Sequence, residues 1–427
     1  MKVIENNKCL ILLTNYFPYY KGEEYIEAEI LYLAHTFDKV IIIPTMVDDT
    51  MVRTRDIPEN VDIVLESTPH SLKHKIGYFL QHGKSILFNK TFLRSLKQEC
   101  GWNPYKWLYA LYFESRSVAV FNKVIKGLNK VENISSYRVT LYSYWFYITA
   151  SVAIKLRELY FKDEAIYLVS RGHGYDINER IKPFSYLPMR SSMLAKIDKL
   201  FTVSDEARDR IRKQYSGYAD KIETRRLGVV FNGKQLSSRN PFLIVSCSTI
   251  RKLKRIDLII SALEKLKIDG LEFQWVHIGD GELKQSLEEE AHRKLGNHRV
   301  TFLGRIPNRG IFEFYQENKP SVFINTSSSE GVPVSIMEAQ AFSIPVVASN
   351  VGGTKEIVFD GVNGYLIKDY SDVDGYYDAL KKLILMDSAE YERISIAAYQ
   401  SYMKLADAKT LYSEFASGLI NGLNKHS

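Results

Sequence analysis

The sequence predicts an α/β protein with two doubly wound, Rossmann-like halves that face a central cleft. Apolar runs without polar alternation, such as KVIIIPT, are interspersed with segments whose apolar residues recur at helical spacing. This pattern is typical of parallel strands that helices cover on both faces. A second series of the same kind begins at Phe242, and 427 residues are enough for two such domains. Because ligands of doubly wound sheets bind beyond the carboxyl ends of the strands, we expect the cleft to hold the site.

The first half begins with a strand, a turn and a helix. CLILLTNYFP is apolar and rich in branched residues, YYKGEE has the composition of a turn, and YIEAEILYLAHTF has apolar residues at helical spacing. Strands continue in KVIIIPT and AIYLVSRGHGYD. In KLFTVSDEARDRI a strand leads into a helix, with Ser204 as the expected N-cap.

The second half repeats this alternation. Its predicted strands are FLIVSCS, FQWVHIGD, VTFLGR, SVFINTSS and PVVASN, and its predicted helices are DLIISALEKL, ELKQSLEEEAHRKL and VSIMEAQAFS. We therefore expect an N-terminal domain at residues 1–228, a polar linker at 229–240 and a C-terminal domain at 241–405. A last helix at 406–427 is expected to pack along the outside, back on the N-terminal domain.

The composition excludes several classes of protein. Three scattered cysteines, Cys9, Cys100 and Cys247, are too few for a disulfide framework and suit reduced thiols in a cytosolic protein. The apolar run near the start is short and has no small-residue cleavage site. No stretch approaches the ~20 apolar residues that span a bilayer. We expect neither export nor a membrane span.

The window 71–130 is basic and aromatic. It holds eleven Lys and Arg against two acids, whereas the whole chain has a formal charge of +7. Lys and Arg are attracted to anionic lipid surfaces, and aromatic rings suit the headgroup level. The same composition is compatible with nucleic acid, or with an insertion whose aromatic residues are core. We favour reversible docking of this insertion on an anionic membrane surface, without a nucleic-acid partner.

Residues 325–356 are the most informative stretch. A strand end leads into a loop with Glu330, Pro333 suits the first turn of a helix, and Glu338 lies about one turn inside it. Unpaired N–H groups at the helix start favour an anion between the two acids. These N–H groups belong to Val334, Ser335 and Ile336. Carboxylates accept hydrogen bonds from sugar and ribose hydroxyls, so the arrangement suits a sugar nucleotide. The alternative for two acids at this spacing is a pair of solvated surface residues.

The segment EGVPVSIMEAQAFSIPVVAS, followed by NVGGTKEIV, resembles the Glu-x7-Glu donor-site signature of the retaining glycosyltransferases of family 4. That family uses nucleotide sugars and has the GT-B fold. The resemblance covers most of residues 9–37 and 166–370. It implies that Glu330 contacts hydroxyls of the donor sugar and that Glu338 binds the ribose. It also implies donor-binding positions at Gly331, Val332, Pro333, Val334, Ser335 and Ile336. Ser343 departs from the Gly that often precedes Ile-Pro-Val.

A basic loop follows the first strand of the second half. Fixed cations there would stabilise the negative charge that builds on a departing diphosphate. Lys254 matches the lysine of the family. The family's arginine is Thr249 here, so Arg251 is our candidate for the second cation. A solvated charge run is the alternative, and Lys252 is assigned to it.

Two further turns of the second half are candidates for donor contacts. HIGDGELK places Gly279 at a strand end before a helix, where a tight turn is the usual explanation and the resemblance adds a donor role. VTFLGRI resembles the strand whose following backbone contacts the base. This resemblance makes Arg305 and Ile306 candidates for the base pocket.

In the first half the resemblance singles out SRGHGYD and NYFPYYKGEE. His173 matches a cleft histidine that reaches the donor sugar near the reacting carbon. Asp176 is expected on the acceptor side of that cleft, and Arg171 suits the surface equally well. Gly22 permits close backbone approach to donor or acceptor. Glu23 or Glu24 either contacts acceptor hydroxyls or favours the helix N-terminus.

These residues predict a retaining glycosyltransferase with a nucleoside diphosphate sugar as donor and a carbohydrate or lipid-linked oligosaccharide as acceptor. The resemblance implies a role in bacterial capsule, exopolysaccharide or O-antigen synthesis, on the inner face of the cytoplasmic membrane. Asp48-Asp49 lacks the context of a metal-binding DxD pair, so no metal and no cofactor are expected. The alternatives are a catalytically silent sugar-nucleotide or membrane-binding protein, and a GT-B epimerase or phosphorylase.

Overall fold

A computed structural model describes residues 7–19, 22–48, 50–66, 77, 90–162, 164–231 and 237–426. The chain divides into two compact units. The N-terminal unit comprises Met1–Gly228 and Ala408–Ser427, and the C-terminal unit comprises Val229–Asp407. Asp49 and much of the basic window, residues 71–76 and 78–89, lie outside the described residues.

The N-terminal unit is built on a seven-stranded parallel sheet. Its strands are β1 (Lys8–Thr14), β2 (Lys39–Pro44), β3 (Val61–Ile63), β4 (Arg138–Ser143), β5 (Tyr167–Gly172), β6 (Lys199–Thr202) and β7 (Ile222–Thr224). Their order is β3-β2-β1-β4-β5-β6-β7, and every pairing is parallel. The winding reverses direction between β1 and β4, which makes their carboxyl ends the switch point where such sheets bind ligands.

Helices cover this sheet on both faces, as the apolar runs predict. They are α1 (Ile26–Thr36), α2 (Lys90–Cys100), α3 (Pro104–Leu128), α4 (Ile148–Lys155), α5 (Arg190–Lys196) and α6 (Asp205–Gln214). Asn103 caps α3 by accepting the Lys106 N–H at 3.1 Å. Ser204 Oγ accepts the Ala207 N–H at 3.1 Å, which confirms the predicted N-cap of α6.

The C-terminal unit holds a six-stranded parallel sheet. Its strands are β8 (Leu243–Cys247), β9 (Gln274–Ile278), β10 (Val300–Gly304), β11 (Val322–Asn325), β12 (Val346–Ser349) and β13 (Gly364–Ile367). The order β10-β9-β8-β11-β12-β13 is that of a doubly wound nucleotide-binding sheet, with its switch point between β8 and β11. The helices of this unit are α7 (Ile256–Ile268), α8 (Lys284–Leu295), α9 (Asn308–Asn318), α10 (Val334–Ala341), α11 (Val373–Leu385) and α12 (Ser388–Leu405).

The last helix, α13 (Ala408–Lys425), belongs to the N-terminal unit. Its Phe415 and Leu419 are buried in the same core cluster as Leu10 and Leu12 of β1. The Arg138 guanidinium donates to the Leu423 carbonyl at 3.1 Å. The last helix therefore completes the core of the N-terminal unit.

Arg171 is buried, which overturns the surface alternative. Its guanidinium donates to Glu29 at 2.6 Å, and neither side chain is more than 1% exposed. The ring of Phe415 lies 4.4 Å from the guanidinium carbon. An isolated buried charge would be costly, but Glu29 pairs with this one, and Tyr142 donates a second hydrogen bond to Glu29 at 3.0 Å.

The predicted linker makes contacts within the C-terminal unit at both of its described ends. Val229 N–H donates to the Ala406 carbonyl at 2.8 Å, and Ser238 N–H donates to the Lys319 carbonyl at 3.1 Å. Over the described ranges, no helix combines the length and the apolar character needed to cross a membrane.

Candidate functional site

The main candidate residues lie on two loops that leave neighbouring strands of the C-terminal sheet. β8 and β11 pair in parallel through Ile244 and Val322, so their carboxyl ends lie side by side. The loop after β8 leads to Lys254, and the loop after β11 leads to Glu330. This point is the switch point of the sheet, where doubly wound sheets bind their ligands.

Lys254 and Glu330 meet at this point. The Lys254 ammonium lies 2.7 Å from Glu330 Oε1, and the two side chains are 22% and 10% exposed. The Asn325 amide donates to the same oxygen at 3.2 Å. Among the described residues, none donates a hydrogen bond to Glu330 Oε2, so this oxygen keeps its capacity to accept from a ligand hydroxyl.

Hydrogen bonds hold the two loops together below the ion pair. The Thr326 hydroxyl donates to the carbonyls of Lys254 and Arg255, at 3.1 and 2.8 Å. Ser328 N–H donates to the Leu253 carbonyl at 2.9 Å. The positions of the cation and the carboxylate are therefore set by backbone contacts as well as by their own attraction.

Gly352 fixes the loop from the other side. Its φ is +53°, and a Cβ there would lie 1.9 Å from the Glu330 carbonyl oxygen. The next residue, Gly353, donates its N–H to the Gly331 carbonyl at 2.6 Å. The glycines of NVGGTKE thus let a second backbone segment pass directly against the loop that carries Glu330.

Helix α10 starts at Val334 after Pro333, as the sequence predicts. The N–H groups of Val334 and Ser335 have no acceptor among the described residues, so the start of the helix keeps two donors for a ligand. The expectation for Ile336 is wrong. Its N–H donates to the Pro333 carbonyl at 3.1 Å, because the first turn is tightened, and it is not available to an anion.

Glu338 lies one turn inside α10 and is only 7% exposed. Its Oε1 accepts a hydrogen bond from the Asn308 amide at 2.6 Å. Burial raises the pKa of this carboxyl from 4.5 to about 7, and the bond from Asn308 opposes the rise. Glu338 is therefore not a solvated surface acid, and its protonation changes close to neutral pH.

The turn after β9 packs against the loop that leads to Lys254. A Cβ on Gly279 would lie 1.8 Å from the Ser248 carbonyl oxygen, and one on Gly281 would lie 2.4 Å from that of Ile250. Ile250 N–H donates to the Asp280 carbonyl at 2.9 Å. This close packing of backbone is the structural reason for glycine on both sides of Asp280.

The remaining predicted residues of this unit are exposed or only partly buried. The side chain of Arg251 is exposed and makes no hydrogen bond or ion pair within the described residues, so its role as second cation stays a prediction. Lys252 is exposed, in agreement with a solvated charge. Arg305 is exposed, and Ile306 packs against the core beside α9.

The N-terminal switch point is organised by two buried acids. Glu23, at φ +60°, accepts the N–H groups of Asn15, Tyr16 and Phe17 at 2.6 to 2.8 Å, and it also accepts the Trp145 indole N–H. Its carboxylate therefore organises the loop after β1. Neither predicted role, acceptor contact or favouring the helix N-terminus, describes this arrangement. Gly22, at φ +94°, has open space around its Cα.

Asp176 has a similar role. It accepts the N–H groups of Phe146 and His173 at 2.9 and 2.8 Å and is fully buried, so it joins the loops after β4 and β5 and is not an exposed acceptor-side ligand. Burial raises the pKa of Asp176 to about 6. The carboxylate fixes the backbone of His173.

The imidazole of His173 packs against two neighbouring aromatic rings. The centroids of Tyr144 and Trp145 are 4.8 and 4.4 Å from it. Both ring nitrogens are buried without a hydrogen-bond partner among the described residues. Burial, followed by the charge of Arg171, holds the pKa of His173 well below its usual range, so the ring is neutral.

In the part of the chain that the structure describes, no group of three or more His, Cys, Asp or Glu side chains could hold a metal ion. Asp48 accepts a hydrogen bond from the Thr50 N–H at 3.0 Å.

A family model described as glycosyl transferases group 1 matches residues 231–401. The putative colanic acid biosynthesis glycosyltransferase WcaL of Salmonella typhimurium is 24% identical over 273 residues, which cover 62% of this chain and 66% of WcaL. Residues 231–401 of the chain are thus similar to the group 1 glycosyltransferases. The amylovoran biosynthesis glycosyltransferase AmsK of Erwinia amylovora is 30% identical over 156 residues, or 35% of this chain and 38% of AmsK. The chain thus spans less than two thirds of the length of either relative.

Solved structures show which fold the chain has. HepE of Anabaena, in complex with UDP and glucose, superposes with a TM-score of 0.62 at 17% identity, over 97% of this chain and 99% of HepE. At this identity the likeness shows the fold alone. It confirms the predicted two-domain GT-B class.

Two side chains that contact the paired glutamates were not found from the sequence. They are Asn325 and Asn308. Asn325 and Asn308 stand at a strand end and a helix start, where asparagine is common for local reasons, and this hides their contacts with the two glutamates.

Proposed function

We propose that this protein transfers a sugar from a nucleoside diphosphate sugar to a hydroxyl of a carbohydrate or lipid-linked acceptor, with retention at the anomeric carbon. The observation that supports this most strongly is the contact of Lys254 with Glu330 at the switch point of the C-terminal sheet. The buried Glu338 and the open start of α10 supply the other parts that a sugar nucleotide requires.

Lys254 is the candidate for stabilising the leaving group. An ammonium has three N–H donors, and Glu330 uses one of them, so others remain for oxygens of a diphosphate. The N–H groups of Val334 and Ser335 offer further donors to a phosphate. Charge that develops on the diphosphate as the bond to the anomeric carbon breaks is stabilised by these fixed groups.

Glu330 binds the sugar of the donor, and Glu338 binds its ribose. Glu330 Oε2 accepts from hydroxyls of the sugar, and its negative charge supports positive character at the sugar ring. Glu338 accepts from the ribose hydroxyls. The acceptor oxygen bonds to the anomeric carbon on the face from which the diphosphate departs, and a departing phosphate oxygen takes the acceptor's proton.

Assembly of a bacterial surface polysaccharide is the process we propose for this transfer. Two named relatives, WcaL and AmsK, are described as glycosyltransferases of colanic acid and amylovoran biosynthesis. HepE is described in complex with UDP and glucose, and the candidate site of this chain has groups suited to a nucleotide sugar. We propose no metal and no cofactor for the reaction.

The experiment is a panel of UDP, GDP, ADP and dTDP sugars, scored by thermal stabilisation and then by turnover. A transferase binds one donor class, hydrolyses it slowly and transfers its sugar when an acceptor is added. A silent binder gives stabilisation without hydrolysis or transfer, and an epimerase converts the donor without an acceptor. Absence of binding by every donor would remove the proposal.

We also propose that the N-terminal unit docks on an anionic membrane surface through the start of α3. Trp102 is 96% exposed, Leu108 63% and Phe184 62%, and the rings of Tyr105 and Phe184 lie 4.9 Å apart. On α2, which leads into this segment, Lys90, Arg94 and Lys97 are exposed. In contrast, Phe92, Phe113 and Phe121 are buried in the core, so the packing alternative holds for that part of the window.

Flotation with phosphatidylcholine vesicles, with and without phosphatidylglycerol, tests the docking. We expect the protein to float with the vesicles that contain phosphatidylglycerol and not with phosphatidylcholine vesicles. Leu108→Glu should reduce this binding. Leu159 is also 63% exposed in the same unit, so Leu159→Glu is the matched control. Equal flotation of wild type with both vesicle types, or flotation with neither, would contradict docking on an anionic surface.

A further inference from the structure

Three buried side chains form a chain of hydrogen bonds at the carboxyl ends of β8 and β9. The Trp275 indole N–H donates to Ser246 Oγ at 3.0 Å, and Ser246 Oγ lies 2.8 Å from His277 Nδ1. His277 Nε2 lies 3.2 Å from the Ser248 carbonyl oxygen. Trp275 and His277 are fully buried and Ser246 is 2% exposed.

The strand register explains how these side chains meet. Ser246 and His277 are direct neighbours on paired strands, and Trp275 lies two residues before His277 on the same face of the sheet. Phe302 of β10 covers that face, with its ring centroid 5.4 Å from Trp275 and 5.5 Å from His277. Packed aromatic rings therefore exclude water from these hydrogen bonds.

The direction of the hydrogen bonds is fixed by their two ends. An indole nitrogen can only donate, so Ser246 Oγ accepts from Trp275. A carbonyl can only accept, so His277 carries its proton on Nε2 and donates it to the Ser248 carbonyl. Nδ1 of the neutral ring then accepts the hydroxyl proton of Ser246. Burial lowers the pKa of His277 from 6.5 to about 4, so the neutral form is present at neutral pH.

Ser248 is the first residue of the loop that carries Lys254. Its N–H donates to the Ile278 carbonyl at 3.0 Å, and its own carbonyl oxygen fills the space that a Cβ on Gly279 would need. Six residues later the same loop ends at Lys254, whose carbonyl is held by Thr326. His277 thus fixes the beginning of a loop whose end is fixed next to Glu330.

We infer that His277 is a positioning residue for Lys254. It touches neither donor nor acceptor, and it acts by holding the Ser248 carbonyl so that the loop delivers the ammonium to Glu330. The inference rests on the proposed function, in which Lys254 stabilises the departing diphosphate. A leucine of similar size would fill the cavity but would leave the Ser246 hydroxyl without its acceptor and the Ser248 carbonyl without its donor.

The test compares His277→Leu with His277→Gln, whose amide can still donate to Ser248, and with the exposed His298→Leu as control. Turnover of the donor selected by the panel is measured per folded molecule. We expect His277→Leu to lower kcat about 10- to 100-fold with little change in donor KM, because a small displacement of a catalytic group is enough for such a loss. His277→Gln should recover most of the rate, and His298→Leu should match wild type.

A double mutant separates positioning from general damage. If His277 acts through Lys254, His277→Leu should lower kcat no further in a protein that already carries Lys254→Met. Losses that multiply in the double mutant would overturn the inference, as would a wild-type kcat for His277→Leu.

A readout without turnover separates this inference from the proposed function. Nitrogen-15 NMR of the histidine ring should show the neutral Nε2–H tautomer of His277 in the wild-type protein at pH 7. A protonated ring or an Nδ1–H tautomer would overturn the hydrogen-bond chain, whether or not any donor is turned over. Absence of donor binding with the expected tautomer would instead remove the proposed function.

Discussion

The Lys254 ammonium lies 2.7 Å from Glu330 Oε1, on a loop that leaves the strand next to the one preceding Glu330. The two residues are 76 positions apart in the sequence. Only the parallel pairing of β8 with β11 brings them together, and Thr326, Ser328 and Gly352 hold the loops in that position. The charges that would act on a donor are thus fixed before a donor binds, which is the condition for effective electrostatic stabilisation.

Removal of either charge should reduce transfer without unfolding the protein. We expect Lys254→Met and Glu330→Gln each to lower kcat by about 10²- to 10³-fold, the loss typical for one fixed group at a developing charge. Glu330→Ala should abolish measurable transfer. Turnover assays, with circular dichroism as a check on folding, measure this.

Lys252→Met is the matched control, because Lys252 lies in the same turn but is exposed. It should retain the wild-type rate within about twofold, since an exposed charge is largely screened. A wild-type rate for Lys254→Met would show that Lys254 does not stabilise the departing diphosphate.

Gly352→Ala should damage both stability and activity. The added Cβ would lie 1.9 Å from the Glu330 carbonyl, and the residue has φ +53°. We expect a loss of about 3 kcal/mol in the free energy of unfolding, and a lower kcat in the molecules that remain folded, because the Glu330 loop must move. Urea denaturation and turnover report these effects separately.

Gly361→Ala distinguishes backbone strain from displacement of the loop. Gly361 has φ +70° but no atom within 4 Å of its would-be Cβ. It should lose about 1 kcal/mol of stability and keep its kcat. If both alanine variants behaved alike, contact with Glu330 would not be the cause of the loss.

Donor affinity should rise with pH across neutrality. Burial raises the pKa of Glu338 to about 7, and the ionised carboxylate is the better acceptor for ribose hydroxyls. For a donor such as UDP-glucose, whose phosphates do not titrate near neutrality, the Kd should fall between pH 6 and 8 by roughly tenfold. Calorimetry measures this dependence, and it should vanish in Glu338→Gln; persistence in that variant would assign it to another group.

The same carboxyl should make the protein less stable as the pH rises. Its folded pKa, about 7, lies above the ordinary 4.5, so its stabilising contribution is complete below pH 4.5 and is lost as the pH passes 7. Glu338→Gln should therefore gain stability relative to wild type at pH 8, on the order of 3 kcal/mol, and gain little near pH 4. Unfolding in urea at the two pH values is the measurement. A difference of the opposite sign would mean that Glu338 is stabilised as a carboxylate.

Glu23 should be important for stability despite its place in a loop. Its carboxylate accepts three backbone N–H groups, and Glu23→Ala leaves these buried donors unpaired. We expect a loss of about 3 kcal/mol or more in the free energy of unfolding. The adjacent Glu24→Ala is the control and should lose less than about 1 kcal/mol, because its contact with Arg55 is long and partly exposed. Equal losses would show that the Glu23 contacts contribute little.

Much of the fold could be predicted because its signals are local. The predicted helix in YIEAEILYLAHTF is α1, the strand in KVIIIPT is β2, and the helix that carries Glu338 starts at Val334 after Pro333. In each, the spacing of apolar residues or a proline near the helix start carries the information. The paired glutamates were found through a resemblance, since two acids at that spacing would otherwise suit an exposed surface.

The residues that were misjudged depend on contacts between distant segments. Arg171 is buried because Glu29, 142 positions earlier, pairs with it. Asp176 faces inward because Phe146 N–H needs an acceptor, and the Ile336 N–H is used by a tightened first turn. Asn308 contacts Glu338 across 30 residues. None of these partners is marked by a periodic pattern, so the folded chain was needed to find them.

The most direct test of the donor site is calorimetric titration of wild type, Lys254→Met and Glu338→Gln with the panel of nucleoside diphosphate sugars. We predict that wild type binds at least one donor and that each variant binds it about tenfold or more weakly. Binding that is unchanged in both variants, or no binding of any donor by wild type, would contradict a sugar-nucleotide site between the Lys254 loop and α10.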